Sequence, residues 1–298
     1  MNKKNTAIAF AIFAAVLYAI NIPCSKILME YADSTMMAGF LYFGAGIGMF
    51  LYTTISEVMG KKVVKEPLTK AELPYTIGMI VLDIAAPILL MHGLKITTSA
   101  NATLLNNFEI VATSLIALVV FKEVVSRKLW AAIGLVTFAS AILTFEGAGS
   151  FTFNIGSVMV LGAATCWGFE NNCTRMLSHK SSEQIVIIKG IFSGLGALIT
   201  AFIVGEQLPQ WIYIVIIMLL GFVSYGLSIN FYIMAQAQLG AAKTSAYYSI
   251  APFLGVAFSL LLLGERPGVQ FYIALLVLIL GTLLIINDTL HENNDLAQ

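Results

Sequence analysis

The sequence predicts an all-α integral membrane protein of ten transmembrane helices, built as two inverted five-helix repeats. Three observations carry this expectation. Hydrophobic residues fill 59% of the 298 positions and charged residues only 11%, the balance of a chain held mostly in lipid. Ten apolar stretches are each long enough for the roughly 30 Å hydrocarbon layer, which takes about 20 helical residues to cross. The third observation is an internal copy. A shift of 149 positions lays Ala14-Ala15 on Ala163-Ala164, Tyr18 on Trp167, Asn21 on Glu170, Cys24 on Cys173, Ser25 on Thr174 and Lys26 on Arg175.

In chain order, the first half (residues 1–150) holds expected spans near residues 6–28, 35–57, 74–93, 98–120 and 130–146. The first begins after Lys3 and Lys4 and runs past Pro23 without a small-x-small cleavage site, so it reads as a retained helix rather than a signal peptide. The second carries Gly44-xxx-Gly48, a small-xxx-small pair that lets helices approach closely. A polar loop, Met59 to Glu72, leads to the third span, where Pro87 follows Asp83 by four residues. The fourth contains Asn106 and Glu109, and the fifth closes the half. The second half (151–287) repeats the plan with spans near 155–177, 184–204, 211–235, 243–263 and 268–287. Gly44-Ala-Gly46 falls on Gly194-Leu-Gly196 at a shift of 150, and Glu123 on Glu265 at 142, the shift changing because the first half has the longer loop. A polar, disordered cytoplasmic tail is expected from 288 to 298.

Lys and Arg beside spans are retained on the cytoplasmic side. With the N-terminus inside, twelve of sixteen basic residues fall at cytoplasmic ends, among them Lys61, Lys62, Lys65, Lys180 and Lys243; Lys26, Lys95 and Arg266 fall opposite, and Lys189 within the seventh span. Both termini are therefore expected in the cytoplasm and the chain in the plasma (inner) membrane. Five spans per half is an odd number, so the second repeat enters the membrane from the other side. Inverted repeats of this kind build many secondary carriers, with a midplane site between halves that rock.

Basic and acidic residues balance at sixteen each, which gives no reason to expect a nucleic-acid partner. Cys24, Cys166 and Cys173 all lie in apolar runs without CxxC or paired His, so no disulfide, metal or cofactor is expected. No Walker A, HExxH or nucleophile-elbow sequence occurs, which argues against ATP drive and against an intramembrane enzyme.

The run Gln238-Leu-Gly-Ala-Ala-Lys-Thr-Ser-Ala246, then Ala251-Pro252, then Leu263-Gly-Glu-Arg266 resembles the second-repeat signature of the EamA family in the drug/metabolite transporter superfamily. Trp167-Gly168 is similar to that family's opening motif. The resemblance covers nearly the whole chain and implies ten helices, two EamA repeats and export or exchange of small metabolites. The first half departs from the pattern: Pro252 is matched by Ile110, preceded by Glu109, and Gly264-Glu-Arg266 by Lys122-Glu-Val124. Glu109 thus points to a specificity of this member's own.

Ionisable residues within a span are costly and usually face the bundle interior with a partner. Four stand out: Asp83, Glu109, Glu170 and Lys189. Asn106 lies three residues before Glu109 on the same helical face, so both are expected to line a cavity; the plainer reading is an interhelical hydrogen bond. Glu170 and Lys189 reach similar depths and read equally as a structural ion pair or a coupling group. Asn171, Asn172 and Arg175 are expected to cap the cytoplasmic helix end. Tyr225, Ser228 and Tyr232 share a face at helical spacing, and Ser245 and Tyr248 extend that wall. Pro23, Pro87 and Pro252 are expected helix kinks, each removing a backbone donor, and Asn21, the repeat equivalent of Glu170, is expected to face it.

These residues predict a secondary transporter, by alternating access, of a small organic metabolite such as an amino acid or amine, and the resemblance implies that it is an exporter. A carboxylate that is dry in one state and wet in the other can bind and release a proton, which makes Glu109 and Glu170 candidates for proton coupling. Carriage of an organic anion or nucleotide-type metabolite is the alternative, and a passive channel or sensor scaffold a third. The expected partners are the solute, protons and the lipid bilayer, with the chain a monomer or homodimer.

Overall fold

The computed structural model describes residues 3–59, 66, 68–122, 126–146, 152–177, 180–239, 244 and 247–295. Lys61, Lys62, Lys65, Glu123, Lys243 and Ser245, singled out above, lie outside them. The described chain is helical apart from one antiparallel pair of two-residue strands, β1 (Phe145–Glu146) and β2 (Thr152–Phe153). Helices α1 (Lys3–Ala19), α2 (Asn21–Leu28), α3 (Ser34–Val58), α4 (Leu73–Ile96), α5 (Ser99–Leu105), α6 (Phe108–Phe121) and α7 (Arg127–Thr144) precede that pair. After it come α8 (Ile155–Met176), α9 (Ser182–Ile203), α10 (Trp211–Gly221), a π-helical stretch (Phe222–Leu227), α11 (Ser228–Leu239), α12 (Ala251–Leu263) and α13 (Val269–Asp295).

Local sequence sets the helix starts. Thr98, Asn154 and Ser181 accept hydrogen bonds from the backbone N–H of Asn101, Ser157 and Gln184, each satisfying one orphan donor of the first turn. The prolines act differently from one another. Pro23 cannot donate to Ala19, four residues back, and α1 ends there. Pro87 likewise leaves the Asp83 carbonyl without its helical donor, yet α4 runs through it unbroken. Pro252 lies in the first turn of α12, where no donor is needed, after a turn at Ser249-Ile250. The fourth expected span is also interrupted, by a turn at Asn106-Asn107 between α5 and α6.

Among the described residues, eight helical stretches are both long and apolar enough to cross a membrane. The other two expected spans depart for identifiable reasons. Helix α8 has 22 residues, but Glu170-Asn171-Asn172 dilutes its apolar character. Helix α12 is apolar but has only 13 residues, a turn at Ser249-Ile250 coming directly before it. Helix α13 continues through Asp288 to Asp295, where a disordered tail is expected from the sequence; no proline or glycine follows Gly281 to stop it.

Large apolar side chains cover the outside, with Val58, Ile203 and Leu261 about four-fifths exposed. Polar ones such as Asn21, Asp83, Ser99, Glu170 and Ser224 are buried. That distribution suits a bilayer, where buried polar groups and backbone must be satisfied inside the protein. Helix α3 packs on α9 and α10, α4 on α8 and α9, α1 on α11 and α12, α6 on α8, α5 on α12, and α7 on α13. The α3–α9 crossing is close because Gly46 and Gly190 meet backbone to backbone; a Cβ on either would run into main chain.

Charged side chains tie one face of the bundle. Both Glu206 carboxylate oxygens accept from the start of α3, at Thr35 N (3.1 Å) and Met36 N (2.7 Å). Both Glu265 oxygens accept from the start of α5, at Ser99 N (2.7 Å) and Ala100 N (2.9 Å). Lys26 Nζ donates to the carbonyls of Leu94 and, at 2.8 Å, Thr97 at the end of α4. These placements complement the positive N-termini and negative C-termini of helices. On the opposite face Lys180 Nζ lies 3.3 Å from Glu66 and 3.5 Å from Glu72, and Ser181 N donates to Glu66 O at 2.9 Å.

Candidate functional site

A cavity of about 840 Å³ lies between the helices. Its lining runs from Tyr42 and Trp167 inside the bundle to Lys180 and Ile286 at the face opposite the Glu206 and Glu265 contacts. Helices from both halves contribute walls, so the break at Asn106-Asn107, the π-helical stretch and the turn before Pro252 all border it.

One wall is aromatic. Ring centroids step from Tyr42 to Tyr225 (5.1 Å), Tyr225 to Tyr18 (6.1 Å), Tyr18 to Tyr248 (5.9 Å) and Tyr248 to Tyr232 (5.1 Å). Five tyrosines thus form a continuous chain, with tilted or edge-to-face contacts of the favoured kind. The Asn106 amide donates to Tyr18 OH at 3.2 Å, and its other end is buried with no protein partner.

The other wall is acidic. Asn171 Nδ2 donates to Glu109 Oε1 at 2.7 Å and reaches Thr113 Oγ1 at 3.3 Å. Glu109 has no basic partner among the described residues. Lys189 Nζ sits between Glu170 Oε2 (3.0 Å) and Asp83 Oδ2 (3.1 Å). Asp83 Oδ1 accepts from Tyr42 OH at 3.1 Å, and Tyr42 oxygen accepts from Trp167 Nε1 at 3.0 Å. Thr174 OH donates to Glu170 Oε1. Among the described residues, no three His, Cys, Asp or Glu side chains gather as a metal site.

Of the side chains singled out from sequence, Asn106, Glu109, Glu170, Tyr225, Tyr232, Tyr248 and Lys189 line this cavity. Three others do not. Asp83 is fully buried behind it, because Lys189 and Tyr42 take its two oxygens. Asn21 does not face Glu170; its Nδ2 donates to Ser224 Oγ at 2.7 Å, joining α2 to the π-helical stretch. Ser228 is fully buried behind the lining: it donates to Ala14 O at 2.8 Å and shares a hydrogen bond with Tyr248, so it backs the tyrosine wall rather than facing the cavity. Asn171 and Asn172 are not caps at a helix end: Asn171 reaches Glu109, and Asn172 donates to Thr113 O (3.2 Å) and Gly168 O (2.8 Å), fastening α8 to α6.

Tyr18, Tyr42, Trp167 and Asn171 also line the cavity and were not selected as site residues from sequence. The signal for two of them was present, because Tyr18 and Trp167 occupy one repeated position. Tyr42 had none, since a tyrosine in an apolar span is ordinary.

Membrane-length helices packed around a largely apolar cavity that carries a few ionisable and hydroxyl side chains define a polytopic membrane protein with room for a small molecule. The chain matches the EamA-like transporter family at residues 5–145 and again at 154–287, and it belongs to that family, within the drug/metabolite transporter superfamily. It is 24% identical over 296 residues to an uncharacterized transporter of Methanothermobacter thermautotrophicus (strain Delta H), covering 92% of this chain and 84% of that one. A solved crystal structure at 14% identity superposes with a TM-score of 0.65 over 93% of this chain and 94% of the other, a likeness of fold.

Proposed function

We propose that the chain is an alternating-access carrier, built as two inverted five-helix repeats, that exports a small organic solute bearing an ammonium group, such as an amino acid or amine. The observation that carries the solute class is Glu109: it lines the cavity beside an amide donor and, among the described residues, without a basic partner. Lys189 is already shared by two carboxylates, and Lys180 at the mouth is held by Glu66 and Glu72. An arriving cation therefore meets an unneutralised carboxylate, and the tyrosine chain supplies ring faces for cation–π contact. An anion would have to displace an internal carboxylate first.

Two features support the repeats. The family match falls once on residues 5–145 and once on 154–287. Helix packing also maps onto itself when each half is exchanged for the other. The α4–α8 contact becomes α1–α11, α6–α8 becomes α1–α12, and α4–α9 becomes α3–α10, while α3–α9 and α7–α13 each become themselves. The distribution of basic residues supports both termini in the cytoplasm and a location in the plasma (inner) membrane. A proton gradient drives movement through a cavity carboxylate, Glu109 or Glu170.

The test is solute-induced charge movement in proteoliposomes at pH 6 and 8, with amino acids, polyamines, quaternary amines and organic anions. A saturable, pH-sensitive signal for a cation or zwitterion is expected, weakened about tenfold or more in Glu109→Gln, the scale of one lost charged hydrogen bond. A signal only for anions, unchanged in the variant, overturns the acidic-cavity reading.

A further inference from the structure

Among the described residues the cavity offers an open negative charge and no open positive one, and that imbalance narrows the solute of the carrier reading, on which this inference rests. We propose that the cavity takes a monoamine with an apolar body, its ammonium group on Glu109 and its hydrocarbon or aryl part along the tyrosines, and that it turns away zwitterionic amino acids and polyamines.

A carboxylate on the solute would need a donor, and the charged and amide donors of the described lining already serve protein acceptors. Lys189 lies between Glu170 and Asp83, and Lys180 between Glu66 and Glu72. Asn171 donates to Glu109, Asn106 to Tyr18, Asn107 to Leu104 O at 3.2 Å and Trp167 to Tyr42. The helix starts at the cavity add little. The backbone N–H groups of Glu109 and Ile110, in the first turn of α6, donate at 3.1 Å to the carbonyls of Asn106 and Asn107, and the Glu109 carboxylate in that turn opposes a second anion. Pro252, in the first turn of α12, has no N–H to give. The Glu109 charge acts on the hydroxyls of Tyr18, Tyr225 and Tyr248, which are neutral groups. A buried carboxylate without a cation is costly, and here it would also lie near one of like sign.

The number of open carboxylates sets the number of ammonium groups. Glu170 has one oxygen on Lys189 and the other on Thr174, and Asp83 lies behind the lining with its oxygens on Lys189 and Tyr42. The second ammonium of a polyamine therefore meets no carboxylate of its own. Alongside the tyrosine rings the lining is apolar, with Ile22, Ala45, Ile110, Val186, Ile229 and Ile233. Such a surface gains by covering hydrocarbon.

A binding titration of the purified full chain tests this without transport. Trp167 lines the cavity, whereas Trp130 and Trp211 are exposed and outside the lining, so with Trp130→Phe and Trp211→Phe the indole fluorescence reports on the cavity wall. Titration with 2-phenylethylamine is expected to saturate. Phenylalanine adds a carboxylate to that probe, 2-phenylethanol lacks its ammonium, and 1,4-diaminobutane has a second ammonium in place of the ring. Each is expected to half-saturate at a concentration at least about tenfold higher, the scale of an unpaired buried charge or a lost charged hydrogen bond. In Glu109→Gln the advantage of the amine over the alcohol is expected to vanish. Phenylalanine or 1,4-diaminobutane binding as tightly as phenylethylamine overturns the proposal, as does an amine that fails to saturate, or an advantage over the alcohol that persists in Glu109→Gln. If that variant does not fold, the wild-type series decides alone. Tight phenylalanine binding would remove this narrowing and leave the carrier reading standing; the carrier reading itself fails if the amine binds but moves no charge in wild-type proteoliposomes.

Discussion

Glu109 and Asn171 meet at 2.7 Å across α6 and α8, two residues whose pairing no spacing rule connects. The sequence marks Glu109 because a carboxylate in an apolar run has to be explained, and it marks Glu170 and Lys189 for the same reason. It misplaces Asn171, because an amide near a helix end is ordinarily a cap. The position that an interhelical contact selects is set by the rotation of one helix against another, which periodicity within one span does not encode. Asn171 supplies the described donor that orients the Glu109 carboxylate, so under the proposed amine carriage Asn171→Ala is expected to raise the half-saturating amine concentration by about 3- to 10-fold, the worth of one hydrogen bond. Transport kinetics in proteoliposomes check this, and an unchanged half-saturation would mean that Glu109 holds its position without the amide.

Single elements were legible as lengths and less so as shapes. Apolar runs located the eight stretches that qualify as spans among the described residues to within a few residues, since lipid requires a continuous helix and little else. Interruptions were harder to place. The Tyr225, Ser228 and Tyr232 spacing assumes 3.6 residues per turn, whereas the chain is π-helical from Phe222 to Leu227; the two tyrosines still reach the cavity and Ser228 stays buried behind it. Small-residue pairs were readable as close contacts, although their partners were not. Gly46 and Gly190 form the tightest part of the α3–α9 crossing, with main chain where a side chain would go, whereas Gly134 has open space around it. Gly190→Val should therefore lower the unfolding midpoint in detergent, by an amount equivalent to about 1–3 kcal/mol or more of overpacking. Gly134→Val, a matched change in a membrane helix, should leave the midpoint nearly unchanged. Equal effects from the two would show that helix propensity, rather than the crossing, sets the loss.

The whole molecule is asymmetric although the family match falls twice on its sequence. Under the proposed inverted-repeat reading two equivalent arrangements exist, and one conformation realises only one of them. Here the cavity lining reaches Lys180 and Ile286 on one face, while Glu206, Glu265 and Lys26 tie helix ends together on the other. Each glutamate makes two charge-assisted bonds to a helix N-terminus, and removing such bonds costs about 1–3 kcal/mol apiece. If these contacts favour closure of the tied face, weakening them should raise the population open there by tenfold or more, since about 1.4 kcal/mol shifts an equilibrium tenfold. The test places a single cysteine at Thr103, on the cavity wall, in a background with Cys24, Cys166 and Cys173 replaced by alanine. A membrane-impermeant maleimide should label Thr103→Cys from the Lys180 face alone. Adding Glu206→Ala and Glu265→Ala should make the site reactive from both faces, with labelling from the tied face rising at least tenfold. Labelling that stays one-sided in the triple variant would assign both glutamates to helix capping alone and leave closure to the packing of α3, α5 and α12.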